Sequence, residues 1–338
     1  MNSSTTISIQ GHRMENIRAT LEARQVWIYF LAIACGAFLG LTVPGMGTLE
    51  AAINPALAVM LFATFLQVPL AEIGAALRNV RFLGALAVTN FVIIPIVAAA
   101  LVQFLPAEPM LRLAVLFVLL APCIDYVITF THLGGGNARL LLAMTPVLLV
   151  LQMLLLPVYL TLVLGSEVSN LVEVGPFLHA FIWLIAVPLL LAASVQALGR
   201  KTSAGERLVD VLNLLPVPAT AFVLFIVLAS VMPQIGLAQE AALRAAPIYV
   251  AFALVAPLAG RLVTRSLGLD AASARAVSFS ASYRNSLVIL PLAFAVPGGV
   301  PLLPAVILTQ TIVELCFMPI YVRWIPLLAK AQTGASAA

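Results

Sequence analysis

The chain has 338 residues, 63% of them hydrophobic and 9% charged, and its mean hydropathy of +1.13 lies far outside the range of soluble globular proteins. That composition describes an integral membrane protein and leaves no room for a soluble catalytic or nucleic-acid-binding domain, because the longest polar segment is the N-terminal tail, 1–24. A net charge of +4 on a soluble chain would invite a nucleic-acid reading; here the topology explains it better.

In chain order, the tail carries Arg13, Glu15, Arg18, Glu22 and Arg24 and leads into an apolar run too long for a signal peptide. A helix needs about 20 apolar residues to cross a bilayer. Ten spans of that length are predicted, at 25–44, 49–70, 82–105, 111–132, 138–164, 176–198, 208–232, 245–266, 272–296 and 302–328. With both termini cytoplasmic, the inner segments hold 14 of the 17 basic residues, the outer loops hold Arg112 and Arg244, and Arg284 lies within span 9. The positive-inside rule therefore fixes the orientation and requires an even number of spans. Cys35, Cys123 and Cys316 all fall inside spans, too dispersed for a metal motif.

Span 3 contains Asn90, and span 4 contains "LLAPCIDYVITF" (119–130), where a proline, a cysteine and an aspartate interrupt an apolar run. Pro122 removes an amide donor and clashes with the preceding turn, so an unwound segment is expected there. "GGGNA" (134–138) lacks the rest of a phosphate loop and reads as a tight turn before span 5. In span 9, "SFSASYRNS" (278–286) surrounds Arg284 with Ser282, Asn285 and Ser286, side chains able to satisfy backbone groups freed by a second break. Span 10 carries Gln310 and Glu314.

The chain also matches itself at an offset of 162 residues. Pro95 falls on Pro257, Glu108 on Asp270, Gly136 on Gly298, and "QMLLLPVY" (152–159) on "ELCFMPIY" (314–321); with one residue of shift, Pro55 meets Pro218. Spans 3–5 thus repeat as 8–10, and 2 as 7. Each unit, 25–164 and 176–328, has five spans, an odd number, so the second enters the membrane from the opposite side. The predicted fold is all-α, with ten transmembrane helices in two inverted five-helix repeats and two discontinuous helices, spans 4 and 9, crossing near the midplane. "APCID" (121–125) lies opposite "YRNSL" (283–287) under the same offset. Intramembrane charges cost roughly 2.5 to 3.5 kcal/mol each on insertion scales, so Asp125 is expected either to pair with Arg284 or to face a watered cavity.

These two segments, "APCIDYVITFTHLGGGNA" and "SASYRNSLVILPLAFAVP", resemble the arsenical-resistance branch of the bile acid/sodium symporter superfamily, and the resemblance runs over spans 2–10. It implies a core of spans 3–5 and 8–10, a panel of spans 1, 2, 6 and 7, and a site at the crossed breaks. The span-4 cysteine associated with arsenite permeases falls on Cys123. The acidic residue that members often carry in the span-9 break is absent, its place being taken by the neighbourhood of Arg284 and Asn285. Asp125 or Glu314 is then the candidate carboxylate for proton coupling.

The candidate substrate and ion residues are Asn90, Cys123, Asp125, Ser282, Arg284, Asn285, Ser286, Gln310 and Glu314, with Pro122 as the structural break. Most have a plainer alternative, which for Glu314 is a lipid-facing or snorkelling side chain. Asp125 and Arg284 could be a structural ion pair, and Cys123 a small buried hydrophobe. Asn54, Asn90, Thr145 and Gln310 could glue helices by hydrogen bonds worth about 0.6 kcal/mol each, and His132 could be an interfacial side chain. An intramembrane enzyme with Cys123 as nucleophile and His132 or Asp125 as base is a remote alternative, since no third group is evident and His12, His132 and His179 are scattered.

The reading is a secondary transporter working by alternating access, with arsenite or antimonite efflux in exchange for protons as the resemblance implies. The second reading is sodium-coupled uptake of an organic anion, with Arg284 as countercharge. No cofactor is expected beyond a coupling H+ or Na+. The expected partners are a small-molecule solute, the bilayer of the inner (plasma) membrane and a second copy in a homodimer, with no nucleic acid.

Overall fold

In hydrocarbon a backbone meets its own hydrogen-bonding needs only as a helix or a closed barrel. Apart from one isolated bridge, every element among the described residues is helical. The structure, a computed structural model, describes residues 3–68, 74, 77–124, 126–165, 175, 178–179 and 182–330. Its helices are α1 (Ser3–Thr42), α2 (Glu50–Leu66), α3 (Val80–Val102), α4 (Pro109–Leu119), α5 (Val127–Leu133), α6 (Ala138–Leu164) and α7 (Ile182–Gly199). They continue as α8 (Ser203–Leu212), α9 (Pro216–Val231), α10 (Ile235–Ser266), α11 (Ala271–Ser282), α12 (Ser286–Ala295) and α13 (Leu302–Lys330). Among the described residues seven helices are long and apolar enough to cross a membrane, and the pair α8–α9, bent by 42°, makes an eighth if counted as one span.

Three boundaries differ from the sequence reading. From Ser3 the tail is helical and continuous with span 1, and Arg18 bonds Glu22 one turn on at 2.7 Å. Span 7 is not a single straight helix from 208: the chain bends between Leu212 and Pro216, because two prolines, Pro216 and Pro218, suit a helix start and not a helix interior. Span 8 begins ten residues early, at Ile235, since Gln239, Glu240 and Arg244 are good helix formers that a hydropathy window discards.

The chain divides into two compact units. One comprises Met1–Val68 and Leu178–Pro233, hence α1, α2, α7, α8 and α9. Within it, Gly36 and Gly40 of α1 lie against α9 so closely that a Cβ at either would sit 2.5 Å from the Phe225 carbonyl oxygen or 2.7 Å from that of Ala229. This is the close approach that small residues one turn apart allow in membranes. Gln196 of α7 donates to the carbonyls of Leu66 at 2.9 Å and Val68 at 2.8 Å, serving the otherwise open C-terminal end of α2.

The other unit comprises Pro69–Phe177 and Gln234–Ala338, and it holds both interrupted helix pairs, α4–α5 and α11–α12. Here the repeated prolines find a use. Pro95 cannot bond the carbonyl four residues back, and that carbonyl, of Phe91, accepts the Tyr159 hydroxyl at 2.5 Å. Pro257 frees the Ala253 carbonyl in the same way, and the Tyr321 hydroxyl donates to it at 2.8 Å. Both partners of one contact lie 162 residues from those of the other, so the shared Pro and "P-[VI]-Y" signals are the two ends of one hydrogen bond made twice. The π-helical turn Thr89–Ile93 lies where Pro95 loosens α3.

Candidate functional site

The two interruptions face each other. Helix α4 ends at Leu119 and α5 resumes at Val127; α11 ends at Ser282 and α12 resumes at Ser286. Between them the Cys123 amide donates to the Tyr283 carbonyl at 3.1 Å, and the Asn285 amide donates to the Ala121 carbonyl at 2.8 Å. These two bonds flank an antiparallel bridge between Pro122 and Arg284. The offset of 162 turns the first bond into the second and Pro122 into Arg284, so the pairing is self-complementary about the bridge. Backbone groups released by each break are satisfied by the other, which a single break within a bilayer could not achieve.

The local sequence explains each interruption. Span 4 breaks because Pro122 has no N–H to give. Span 9 has no proline there, and side chains replace the missing helical bonds: Asn285 caps α12, its Oδ1 accepting from the Val288 amide at 3.4 Å, while the Arg284 amide donates to Glu314 Oε2 at 2.7 Å. The Tyr283 ring, fully buried, is stacked on Phe130 at 5.6 Å and meets Tyr126 edge-on at 6.1 Å.

Arg284 is fully buried. Its Nη1 donates to the Leu119 carbonyl at 3.3 Å, and its Nη2 to Asn90 Oδ1 at 3.0 Å and to the carbonyls of Ser280 at 2.6 Å and Ala281 at 2.8 Å. Its carbon end lies 5.5 Å from the centre of the Phe252 ring, a cation–π distance. Leu119 and Ala281 are related by the 162 offset, as are Asn90 and Phe252. The guanidinium therefore ties the C-terminal ends of α4 and α11 together, where helix carbonyls are unpaired and the local potential is negative. A buried permanent charge requires such a set of oxygens.

Glu314 of α13, also buried, completes the constellation. Its Oε1 accepts from the Tyr126 hydroxyl at 2.8 Å; its Oε2 accepts from the Arg284 amide and from Gln310 Nε2 at 2.6 Å. One carboxylate thus touches residues beside both breaks. Thr311 donates to the Ser286 hydroxyl at 2.8 Å, adding a second link from α13 to the start of α12.

Of the residues singled out in the sequence, the structure brings together Asn90, Pro122, Cys123, Arg284, Asn285, Ser286, Gln310 and Glu314. Asp125 lies outside the described residues, and its pairing with Arg284 with it. Ser282 turns away from the group and donates to its own helix, to the Ser278 carbonyl at 2.7 Å, as serine readily does in helices. Thr145 does likewise with the Leu142 carbonyl, Asn54 is exposed on α2, and His132 is exposed in the last turn of α5. "GGGNA" forms the turn expected of it, with Gly135 at φ 64° and Asn137 capping α6 through the Leu140 amide.

Sequence reasoning passed over Tyr126, Phe252, Ser280 and Thr311 as site members, although Tyr126 and Ser280 stand inside the two stretches quoted from spans 4 and 9 and the offset pairs Phe252 with Asn90. It also left Gln152 as the plain counterpart of Glu314. Gln152 is fully buried, and neither amide atom has a hydrogen-bond partner among the described residues. The offset explains this: the three donors on Glu314 come from Arg284, Tyr126 and Gln310, whose counterparts are Pro122, Val288 and Leu148, none of which supplies a donor.

Chemically the arrangement is a buried cation, a buried carboxylate, a thiol and several amide groups around paired extended segments. Among the described residues no three His, Cys, Asp or Glu side chains group to hold a metal ion. Two broken helices whose ends meet inside an apolar helical unit match the way transporters build a solute site. No curated protein matches the chain. The model of the sodium bile acid symporter family matches residues 54–239, more than half of the 338, and the chain therefore belongs to that family of membrane transporters.

Proposed function

We propose that the protein is a secondary transporter that exports arsenite or antimonite in exchange for protons, working by alternating access about the crossed breaks. The layout proposed for it has ten spans in two inverted repeats. The seven long helices and the α8–α9 pair supply eight, and the interrupted pairs α4–α5 and α11–α12 supply the other two. The contacts that recur at the 162 offset support the repeat.

The observation that carries the substrate reading is the state of Arg284. Sodium-coupled uptake of an organic anion needs a cation to meet the anion. Here Nη1 and Nη2 are engaged by four protein oxygens, Nε alone has no hydrogen-bond partner among the described residues, and the positive charge is buried among helix C-termini. A neutral, thiophilic trivalent arsenical asks for no countercharge. Cys123, buried and in the unwound segment, offers the soft sulfur it prefers.

Proton exchange is assigned to Glu314 or Asp125. Protonating Glu314 would set its own O–H against a carboxylate position now filled only by donors, loosening the link between α13 and both breaks. Substrate binding and protonation would then exclude each other, as exchange requires.

The test is metalloid movement in inverted vesicles. Cys123→Ser keeps a small polar side chain and the amide that bonds Tyr283, so the variant should insert and fold normally. It is expected to lose arsenite export at unchanged protein level. Full export by Cys123→Ser overturns the thiol's role, and no arsenite movement by the parent overturns the substrate.

A further inference from the structure

We infer that Arg284 is a tethered cation, standing where a transporter of this build would otherwise bind a coupling metal cation, so that the crossing takes no sodium. The inference deepens the transport reading by assigning the ion requirement of the same site.

The argument begins with what broken helices do. Half-helix C-terminal ends and unwound carbonyls are the groups that coordinate Na+ in transporters with discontinuous helices. In this chain the carbonyl of Leu119 at the end of α4 and those of Ser280 and Ala281 at the end of α11 converge, together with the Asn90 amide oxygen, on one positive group. That group is the protein's own guanidinium.

Its surroundings are those of an ion site. The side chain is fully buried, and among the described residues no carboxylate meets the guanidinium: Glu314 takes the Arg284 backbone amide instead. Among the described residues the guanidinium's direct partners are thus oxygen dipoles, as a bound metal cation's would be, with the Glu314 carboxylate held on the backbone of the same residue. Two of the carbonyls, Leu119 and Ala281, are counterparts under the 162 offset, so the cation lies between the equivalent ends of both half-helices.

Arginine remains protonated in proteins and cannot dissociate. A cation that is covalently attached cannot be driven through the membrane by its gradient. The place is nevertheless permanently filled, and the two breaks are held paired in every ionic condition. Sodium added to the parent protein then finds these oxygens already taken.

The experiment uses the purified full chain in detergent and no transported solute. Its outcome therefore does not depend on the substrate reading, and failure of either leaves the other standing. Thermal unfolding is compared in sodium chloride, choline chloride and methylguanidinium chloride at equal ionic strength. The parent is expected to show the same Tm in sodium and choline. A saturable rise of the parent's Tm with sodium overturns the inference.

Arg284→Ala removes the cation and leaves its oxygens. It is expected to unfold at a lower temperature in choline and to regain part of the loss, saturably, in sodium or methylguanidinium. A variant whose Tm is indifferent to all three cations overturns the inference. If Arg284→Ala does not fold, Asn90→Ala keeps the cation and removes one oxygen. It should be less stable than the parent yet equally indifferent to sodium, and a sodium response there overturns the inference.

Discussion

The two interrupted spans occupy matching places in the chain, pair with each other through matching hydrogen bonds, and are built by opposite means. Span 4 breaks by subtraction, at a proline that cannot donate, and its neighbourhood under the repeat is apolar: Leu148, Val288 and an unpartnered Gln152. Span 9 breaks by addition, with an arginine, an asparagine and a glutamate taking over backbone partners. The first form requires little of the surrounding helices, while the second ties α3, α4, α5, α11 and α13 to one place. Backbone contacts that recur at the 162 offset therefore coexist with strong asymmetry of charge, and stability should be just as unevenly shared.

Glu314 is where that asymmetry is greatest. Glu314→Leu strips the acceptor from the Arg284 amide, the Tyr126 hydroxyl and Gln310 together, and leaves three buried donors without it. The expected loss is about 3–5 kcal/mol, from three buried donors at about 1–3 kcal/mol each with partial relaxation. Glu314→Gln keeps one acceptor oxygen and should lose a fraction of that. Thermal unfolding in detergent reads both, and equal stabilities for parent and Glu314→Leu would show that the clasp carries no energy.

The next effect compares Asn90 with its counterpart Phe252, both of which hold Arg284. Asn90→Leu removes one oxygen from Nη2 and should cost about 1–3 kcal/mol. Phe252→Leu removes a ring face and should cost less, about 0.5–2 kcal/mol. A larger loss for Phe252→Leu would mean that the ring's packing outweighs the hydrogen bond.

On the other side of the repeat the sign reverses. Gln152 is buried with both amide atoms unpartnered among the described residues, so an apolar side chain of similar shape should relieve the protein of that desolvation. Gln152→Met is expected to stabilise by about 1 kcal/mol. A lower Tm for this variant would reveal that the amide is in use in the folded protein.

The sequence disclosed the long spans because a bilayer imposes one length and one composition on them, and 138–164 coincides with Ala138–Leu164. Both breaks were legible for chemical reasons, a proline in one and a polar run in the other. The bend before Pro216 was not read, although two prolines marked it, because hydropathy continues across it without a change. The members of the site were half legible. Arg284, Asn285 and Glu314 stand out as polar residues in apolar runs, but Phe252 and Tyr126 do not, since a ring inside a membrane helix looks like any other apolar residue. Which carboxylate serves Arg284 through its amide, rather than its side chain, is a matter of three-dimensional register.

The smallest expected effect lies at the entrance to the two interrupted spans, where Glu108 and Asp270 are counterparts. Asp270 caps α11, its carboxylate accepting from the Ser273 amide at 3.0 Å, whereas Glu108 precedes α4 without capping it and reaches Arg244 at 2.6 Å. Burial pushes the Asp270 carboxyl up, but hydrogen bonds from the Ser273 side chain and amide outweigh it, and the group is held below its ordinary range. A carboxyl depressed in the folded state stabilises above its unfolded pKa of about 3.9 and loses that contribution as pH falls through the folded value. Asp270→Ala should cost about 0.5–1 kcal/mol near neutral pH, at the low end of capping effects because the site is exposed. Asp270→Asn keeps the cap but cannot titrate, so its difference from the parent should close as the pH is taken below about 4. Glu108→Ala, which removes only an exposed ion pair, should move stability by about 0–1 kcal/mol and less still at high salt. A loss from Glu108→Ala as large as that from Asp270→Ala would mean that the two entrances are equivalent after all.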